Sequence, residues 1–216
     1  MQGGKAQMQI ITKPVGLLAA NSYIIYDQAK RHAGVIDPGG NGEDILNEIT
    51  SRNLELKYIL LTHGHFDHID AVGWLKDKTG AQVAIHKDDA PCLVDSSKNL
   101  SLSLGRESIQ PQADLLLKHG DSIIIGDIEL KVIHTPGHSL GSISLMAGNV
   151  IFTGDTLFKG SIGRTDFLGG SMDQLLSSIK NRLLTLDDNT LVYPGHGPKT
   201  TIGYEKATNP FLEGLI

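Results

Sequence analysis

Lys57-Tyr58-Ile59-Leu60-Leu61-Thr62-His63-Gly64-His65-Phe66-Asp67-His68 sets an apolar run directly against four side chains that bind metals. Tyr58 to Leu61 is short, apolar and bounded by polar residues, which predicts a buried strand. His63 and His65 lie two apart, so in extended chain they point to the same side. Gly64 between them has no side chain to obstruct close packing. Asp67 and His68 are adjacent, where the chain turns into a helical pattern from Asp67 to Lys78. Neighbours at such a turn diverge, so they can serve a second metal. Imidazoles and carboxylates this dense repel or compete unless a cation sits among them. The competing reading is a polar strand-end loop with Asp67 as a helix cap.

Outward from this run, Met8 to Thr12, Ser22 to Tyr26 and Ala33 to Ile36 read as strands opening an antiparallel sheet. The turn-rich stretch Asp37-Pro38-Gly39-Gly40-Asn41-Gly42 breaks the chain, and Glu43 to Ser51 has helical spacing. A strand is expected over Gln82 to His86. Residues 95–110, rich in Ser and Asn, are expected to form a surface excursion, a lid over the site. Strands follow at Ser122 to Ile125 and Ile128 to His134, then at Ser142 to Met146 and Val150 to Phe152 around the Gly148-Asn149 turn. Ser171 to Leu184 is a one-sided helix, and Thr190 to Tyr193 a last strand. Two halves, each with strands first and helix later, predict two packed sheets with helices outside, in a single domain spanning 1–216.

Three further candidates stand at strand exits beside glycine: His138 in Pro136-Gly137-His138, Asp155 in Thr153-Gly154-Asp155, and His196 in Pro194-Gly195-His196-Gly197. With the first cluster they make five His and two Asp, the right number for two cations, and Asp155 is the natural bridging carboxylate. His32, His86, His119 and His134 occupy turns or strand ends and need no metal.

Composition narrows the classes. Net charge is −5, from 19 Lys+Arg against 24 Asp+Glu, with no basic run, which disfavours nucleic acids and anionic membranes as partners. The single cysteine, Cys92, forms no intrachain disulfide and is read as inert packing, so a reducing cytosol is the simplest home. Met1 to Ile10 has no apolar core resembling a signal peptide, and no segment approaches a membrane span.

The order and spacing of His-x-His-x-Asp-His at 63–68, His138, Asp155 and His196 resemble the metallo-β-lactamase superfamily over nearly the whole chain. That resemblance implies an α/β, four-layer αββα sandwich: two mixed β-sheets flanked by helices, with the metals at one edge. It implies one metal on His63, His65 and His138, a second on Asp67, His68 and His196, and Asp155 between them. Asp37 matches a position that supports the metal loop from behind. Within the superfamily, Phe152-Thr153-Gly154-Asp155-Thr156-Leu157-Phe158 and Gly163-Arg164-Thr165-Asp166-Phe167 resemble glyoxalase II-like hydrolases, which cleave hydroxyacyl thioesters of glutathione. The tail from Tyr193 to Leu212 resembles a compact bacterial branch of that group. The helical C-terminal extension of longer members has no counterpart here, which leaves the thiol open.

The expected chemistry is metal-dependent hydrolysis of a small-molecule thioester such as S-lactoylglutathione. Two divalent cations about 3.5–4 Å apart share a water and bring its pKa toward about 7, giving a bridging hydroxide that attacks. Imidazole and carboxylate suit zinc best, with iron and manganese as alternatives. Asp67 is a candidate proton acceptor, and Arg164 and Lys159 are candidate clamps for a substrate carboxylate. The main rival is a persulfide dioxygenase with one iron on His63, His138 and Asp155; a metal-binding scaffold with lapsed catalysis is a third reading. A β-lactamase is disfavoured by the lack of a signal peptide and by the chemistry of the Asp-His pair beside Arg164, and a nuclease by the lack of basic surface.

Overall fold

The computed structural model describes residues 8–215. The leader reading of Met1 to Ile10 and the single-domain span therefore fall partly outside the described residues. A first sheet runs in the order β1 (Met8–Val15), β2 (Ala20–Asp27), β3 (His32–Ile36), β4 (Glu55–Leu60), β5 (Gln82–His86) and β6 (Leu115–Leu117). It opens antiparallel and turns parallel from β3 onward. The second sheet holds β7 (Ser122–Ile125), β8 (Ile128–His134), β9 (Ile143–Ala147), β10 (Val150–Gly154), β13 (Leu191–Pro194) and β14 (Thr200–Thr201). A separate small hairpin, β11 (Leu157–Phe158) and β12 (Ser161–Ile162), follows β10.

The layering comes from period-two alternation within strands that are apolar on both faces. Ile24, Val35 and Ile59 point outward into a core shared with Ile45 and Ile49 of helix α1 (Gly42–Ser51) and Leu75 of helix α3 (Val72–Thr79). Their neighbours Ile25, Ile36 and Leu60 point inward, against Leu130, Leu145 and Phe152 of the second sheet. On the far side, Ile151 and Val192 meet Leu175 of α5 (Met172–Ser178) and Ile202 of α6 (Ile202–Thr208). The result is helix, sheet, sheet, helix, the expected four-layer αββα sandwich.

Sheet direction decides where the chemistry-bearing loops end up. β3, β4 and β5 are mutually parallel, so Asp37, the 63–68 loop and the start of helix α4 (Ala90–Leu93) leave the same edge. β10 and β13 are parallel, and β8 runs the same way because β9 is antiparallel to both. His138, Asp155 and His196 therefore follow strands that end at a common edge.

Some expectations change. The helix read over Asp67 to Lys78 is two helices, α2 (Phe66–Ile69) and α3, because the Ala71 N–H bonds the Pro38 carbonyl instead of continuing the helical ladder. The Ser171 to Leu184 helix starts at a Ser171 cap and widens into a π-helical turn over Ile179–Leu183. Residues 95–110 form a fastened clasp rather than a free lid. Phe66 N–H bonds the Asn99 carbonyl, Arg106 and Ser108 bond Asp70, and Gln110 bonds Gly73. Among the described residues, no helix is long and apolar enough to cross a membrane.

Candidate metal centre

All seven candidate ligands meet at the common edge. His63, His65, Asp67, His68 and His138 are buried, and Asp155 and His196 are partly so. Two triads form. His63, His65 and His138 bring one ligand atom each within 4.8 Å of one another, and so do Asp67, His68 and His196. In the first, His65 Nδ1 faces His138 Nε2 at 2.9 Å. In the second, His196 Nε2 lies 3.2 Å from Asp67 Oδ2, and His68 Nε2 lies 3.6 Å from that same oxygen. Asp155 stands between them: Oδ1 is 3.5 Å from His68 Nε2, and Oδ2 is 3.6 Å from His138 Nε2 and 3.7 Å from His196 Nε2.

The ring orientations are set from behind. His138 Nδ1–H donates to the Arg164 carbonyl at 2.7 Å, and His68 Nδ1–H donates to Asp37 Oδ2 at 3.0 Å. His63 Nδ1 lies 3.1 Å from the Thr62 hydroxyl, which itself donates to Asp37. Each bond fixes a tautomer and turns Nε2 toward the centre. Asp37 also accepts the Thr62 N–H at 2.7 Å, is 1 % exposed, and adopts φ 51°, a left-handed backbone that costs a non-glycine residue about 1–3 kcal/mol. Its support of the metal loop is thus direct.

His63 Nε2, His68 Nε2 and Asp155 Oδ1 are buried with no hydrogen-bond partner. A buried polar atom left unsatisfied costs roughly 1–3 kcal/mol, so three at one spot need a common answer. Cations among them supply it, and the donor set of imidazoles and carboxylates fits divalent metals.

The electrostatics agree. Burial, then the neighbouring imidazoles, push His63 well below its ordinary range, and burial with His138 takes His65 down to about 3. These rings stay neutral, as ligands must be. Burial pushes His68 the same way, but Asp155, Asp67 and Asp37 outweigh it and carry His68 up to about 10. For Asp67, burial is opposed by His68 and His196, which hold the carboxyl below the usual range. A cation entering this half must displace protons from the imidazoles.

Close backbone approach closes the far wall. A Cβ on Gly195 would lie 2.1 Å from Asp155 Oδ1 and 2.9 Å from His68 Cε1, so only glycine lets the His196 loop pass. That loop is gripped from β2: the Asn21 amide donates to the carbonyls of Pro194 and Gly197, and the Tyr23 hydroxyl donates to Pro194. Sequence reasoning missed Asn21 and Tyr23, whose partners are backbone carbonyls and leave no motif.

The proposed clamps are placed differently from the ligands. Arg164 reaches His138 by its carbonyl, whereas its guanidinium is exposed, pairs with both Asp166 oxygens at 2.8 and 2.7 Å, and lies 4.2 Å over the Phe167 ring. Phe167 in turn packs edge-on against His65. Lys159 lies over the Tyr204 ring at 5.2 Å. His86 and His134, with Asp88, are also close enough to suggest a metal site. Their rings, however, stack at 4.1 Å and 11°, so their in-plane lone pairs run parallel and do not converge on one ion.

This edge of paired triads agrees with the comparison of families, in which the description "Metallo-beta-lactamase superfamily" matches residues 15–196. The chain belongs to the metallo-beta-lactamase superfamily. A relative from Haemophilus influenzae, named hydroxyacylglutathione hydrolase GloC, is 38% identical over 95% of this chain and 98% of its own. The crystal structure of BLEG-1 B3 metallo-beta-lactamase is 42% identical, with a TM-score of 0.92, over 95% of this chain and 100% of that one. ETHE1 from Myxococcus xanthus is 34% identical with a TM-score of 0.81, covering 94% and 83%. TTHA1623, solved in a di-iron-bound form, is 36% identical with a TM-score of 0.81, covering 94% and 100%. The protein is therefore a metallo-hydrolase by family, with His/Asp clusters consistent with a dinuclear site.

Proposed function

We propose that this metallo-hydrolase cleaves a hydroxyacyl thioester, such as S-lactoylglutathione, with two divalent cations held by the two triads. The observation that carries the reading is Asp155 standing within 3.7 Å of nitrogens from both triads, beside the orphaned Nε2 atoms of His63 and His68. His63, His65 and His138 would hold one ion, Asp67, His68 and His196 the other, with Asp155 shared. When bound, such a pair lowers the pKa of a water toward about 7 and polarises a carbonyl. Zinc suits the ligands best, and the di-iron form of TTHA1623 makes iron the competing occupant.

The chain's own residues account for the rest. Asp37, Thr62 and the Arg164 carbonyl hold the imidazoles in their ligand tautomers. Phe167 packs an apolar ring edge-on against the His65 side. A thiol of pKa near 8.5 leaves without a strong general acid, which suits a site whose titratable groups are taken up as ligands. Asp67 is held low by His68 and His196, so it serves first as a ligand; its proton-accepting role needs a pKa closer to neutral. Arg164, whose carbonyl holds His138, and Lys159 are the candidate contacts for the anionic end of the substrate. The relative named hydroxyacylglutathione hydrolase, alike over nearly its full length, supports the substrate class. A cytosolic home accords with Cys92, a thiol that burial pushes up to about 12 and leaves inert.

The second reading, a persulfide dioxygenase on His63, His138 and Asp155, draws on Gly163-Arg164-Thr165-Asp166-Phe167 and on the likeness to ETHE1. It leaves the gathering of Asp67, His68 and His196 unexplained. The test is metal analysis of protein purified without added metal, then assays on S-lactoylglutathione, glutathione persulfide and a β-lactam. Two zinc ions per chain with thioester hydrolysis is the expected result. One iron with oxygen uptake, or turnover of the β-lactam alone, would replace the reading.

A further inference from the structure

Asp89, at the junction of β5 and α4, is 2 % exposed and forms no ion pair among the described residues. Its carboxylate is instead filled by three donors. Gly64 N–H donates to Oδ2 at 3.0 Å, the Ser139 hydroxyl to Oδ2 at 2.6 Å, and Gly141 N–H to Oδ1 at 2.6 Å. These donors sit in telling places. Gly64 is the link between His63 and His65, and Ser139 directly follows His138. One carboxylate thus ties together the two loops, 75 residues apart at Gly64 and Ser139 (139 minus 64), that supply the His63/His65/His138 triad.

The packing leaves little slack in this tie. A Cβ on Gly141 would lie 2.5 Å from Asp89 N and 2.7 Å from Asp89 Oδ1, and one on Gly64 would lie 2.4 Å from Cys92 Cβ. The serine is itself braced, with its hydroxyl 2.7 Å from that of Ser142 and its N–H donating to Ser142 Oγ at 3.1 Å. Asp37 makes the instructive contrast. It bonds the His68 ring directly and the His63 ring through the Thr62 hydroxyl, so it reaches one ligand of each triad through side chains. Among the described residues, the hydrogen bonds of Asp89 touch no ligand side chain, only backbone and a serine beside the ligands.

We infer that Asp89 is the positioning residue of the His63/His65/His138 triad: its carboxylate fixes the distance between the 63–65 loop and the 138–141 loop, as Asp37 fixes His68. The inference rests on the two-cation reading, and on no particular substrate.

The test is a Co(II) titration of the apoprotein, with the two sites resolved by absorption and by paramagnetically shifted imidazole N–H signals. Asp89→Asn keeps the volume but sets an amide against one of three donors. It should weaken the His63/His65/His138 site by about 10- to 100-fold and leave the other site within about threefold, whereas Asp37→Asn, which reaches His68 directly and His63 through Thr62, should weaken both sites. Ser139→Ala removes one donor and keeps the buried carboxylate. It should weaken the same site by a factor of about three, with the apoprotein's thermal midpoint unchanged. Parental affinity at that site in Asp89→Asn, or an equal loss at both sites, would overturn the inference. Should Asp89→Asn not fold, Ser139→Ala decides by the same criterion. A parent that takes up one Co(II) would sink the two-cation reading by itself, and the effect of Asp89→Asn on that one ion would still decide the role of Asp89.

Discussion

The two halves of the chain build one metal edge by different means. The first half delivers His63, His65, Asp67 and His68 from one stretch after β4 that runs into α2, where local geometry sets their spacing. The second half delivers His138, Asp155 and His196 singly, from the ends of β8, β10 and β13. Their spacing is a property of strand order, since only a sheet in which β10 lies beside β13 brings Asp155 and His196 together. A compact motif announces chemistry, and a sheet completes it.

That comparison breaks most visibly at Asp155, the residue that faces both triads. Asp155→Ala should lower kcat/KM at least about a thousandfold, roughly 4 kcal/mol of transition-state stabilisation, and reduce bound metal. Steady-state kinetics with elemental analysis checks this, and near-normal turnover would separate the halves altogether. Next in size are the residues that hold ligands from behind. Asp37→Asn, acting on the fully buried His68, should cost about 10- to 100-fold in metal affinity, more than Asn21→Ala, which loosens only the backbone around the partly exposed His196. Competition with a chelator ranks the two, and a larger loss at Asn21 would reverse the order.

A third experiment probes the seam where His86 of the first sheet stacks on His134 of the second. Burial and His134 lower His86 to about 4 from its ordinary 6.5. The unfolded chain therefore takes up a proton below pH 6.5 that the folded chain refuses until about pH 4. Stability contributed here is complete above pH 6.5 and is lost as pH falls through that window. His86→Phe keeps a flat ring and removes the titration. Its thermal midpoint relative to the parent should rise between pH 8 and pH 5, and a constant difference would exclude the effect. The smallest effect belongs to Arg164, whose exposed guanidinium is already paired with Asp166. Arg164→Ala should raise KM for an anionic thioester by a factor of about two to five, the scale of one exposed charge contact, and leave a neutral one unchanged. Equal effects on both substrates would remove the clamp.

How far the sequence could be read follows the same division. Two halves of the chain, each with strands first and helix later, disclosed the two sheets, and the dense 63–68 run disclosed the first four ligands. His138, Asp155 and His196 were legible as strand-exit residues beside glycine, each weak alone because a single His or Asp there looks like any turn, and their division between two metals needed the family resemblance. The broken helix after Asp67 was hidden because its interruption lies in a carbonyl of Pro38, distant in sequence. Asn21 and Asp89 were hidden for a related reason. They act mainly on backbone groups, which every residue carries, and the one side-chain partner of Asp89, Ser139, is a common polar residue, so no pairing of residue types marks them.

The grip of Asn21 on Gly197, 176 positions away, also bears on how the protein is made. Synthesis releases the amide 176 residues ahead of its carbonyl partner, so this grip on the His196 loop cannot form until residue 197 has left the ribosome. A nascent chain halted after residue 68 and before residue 196 carries the 63–68 cluster without the closing imidazole. Incomplete translation products would then bind metal weakly and remain hydrolytically silent, so catalysis itself reports that translation ran through that point.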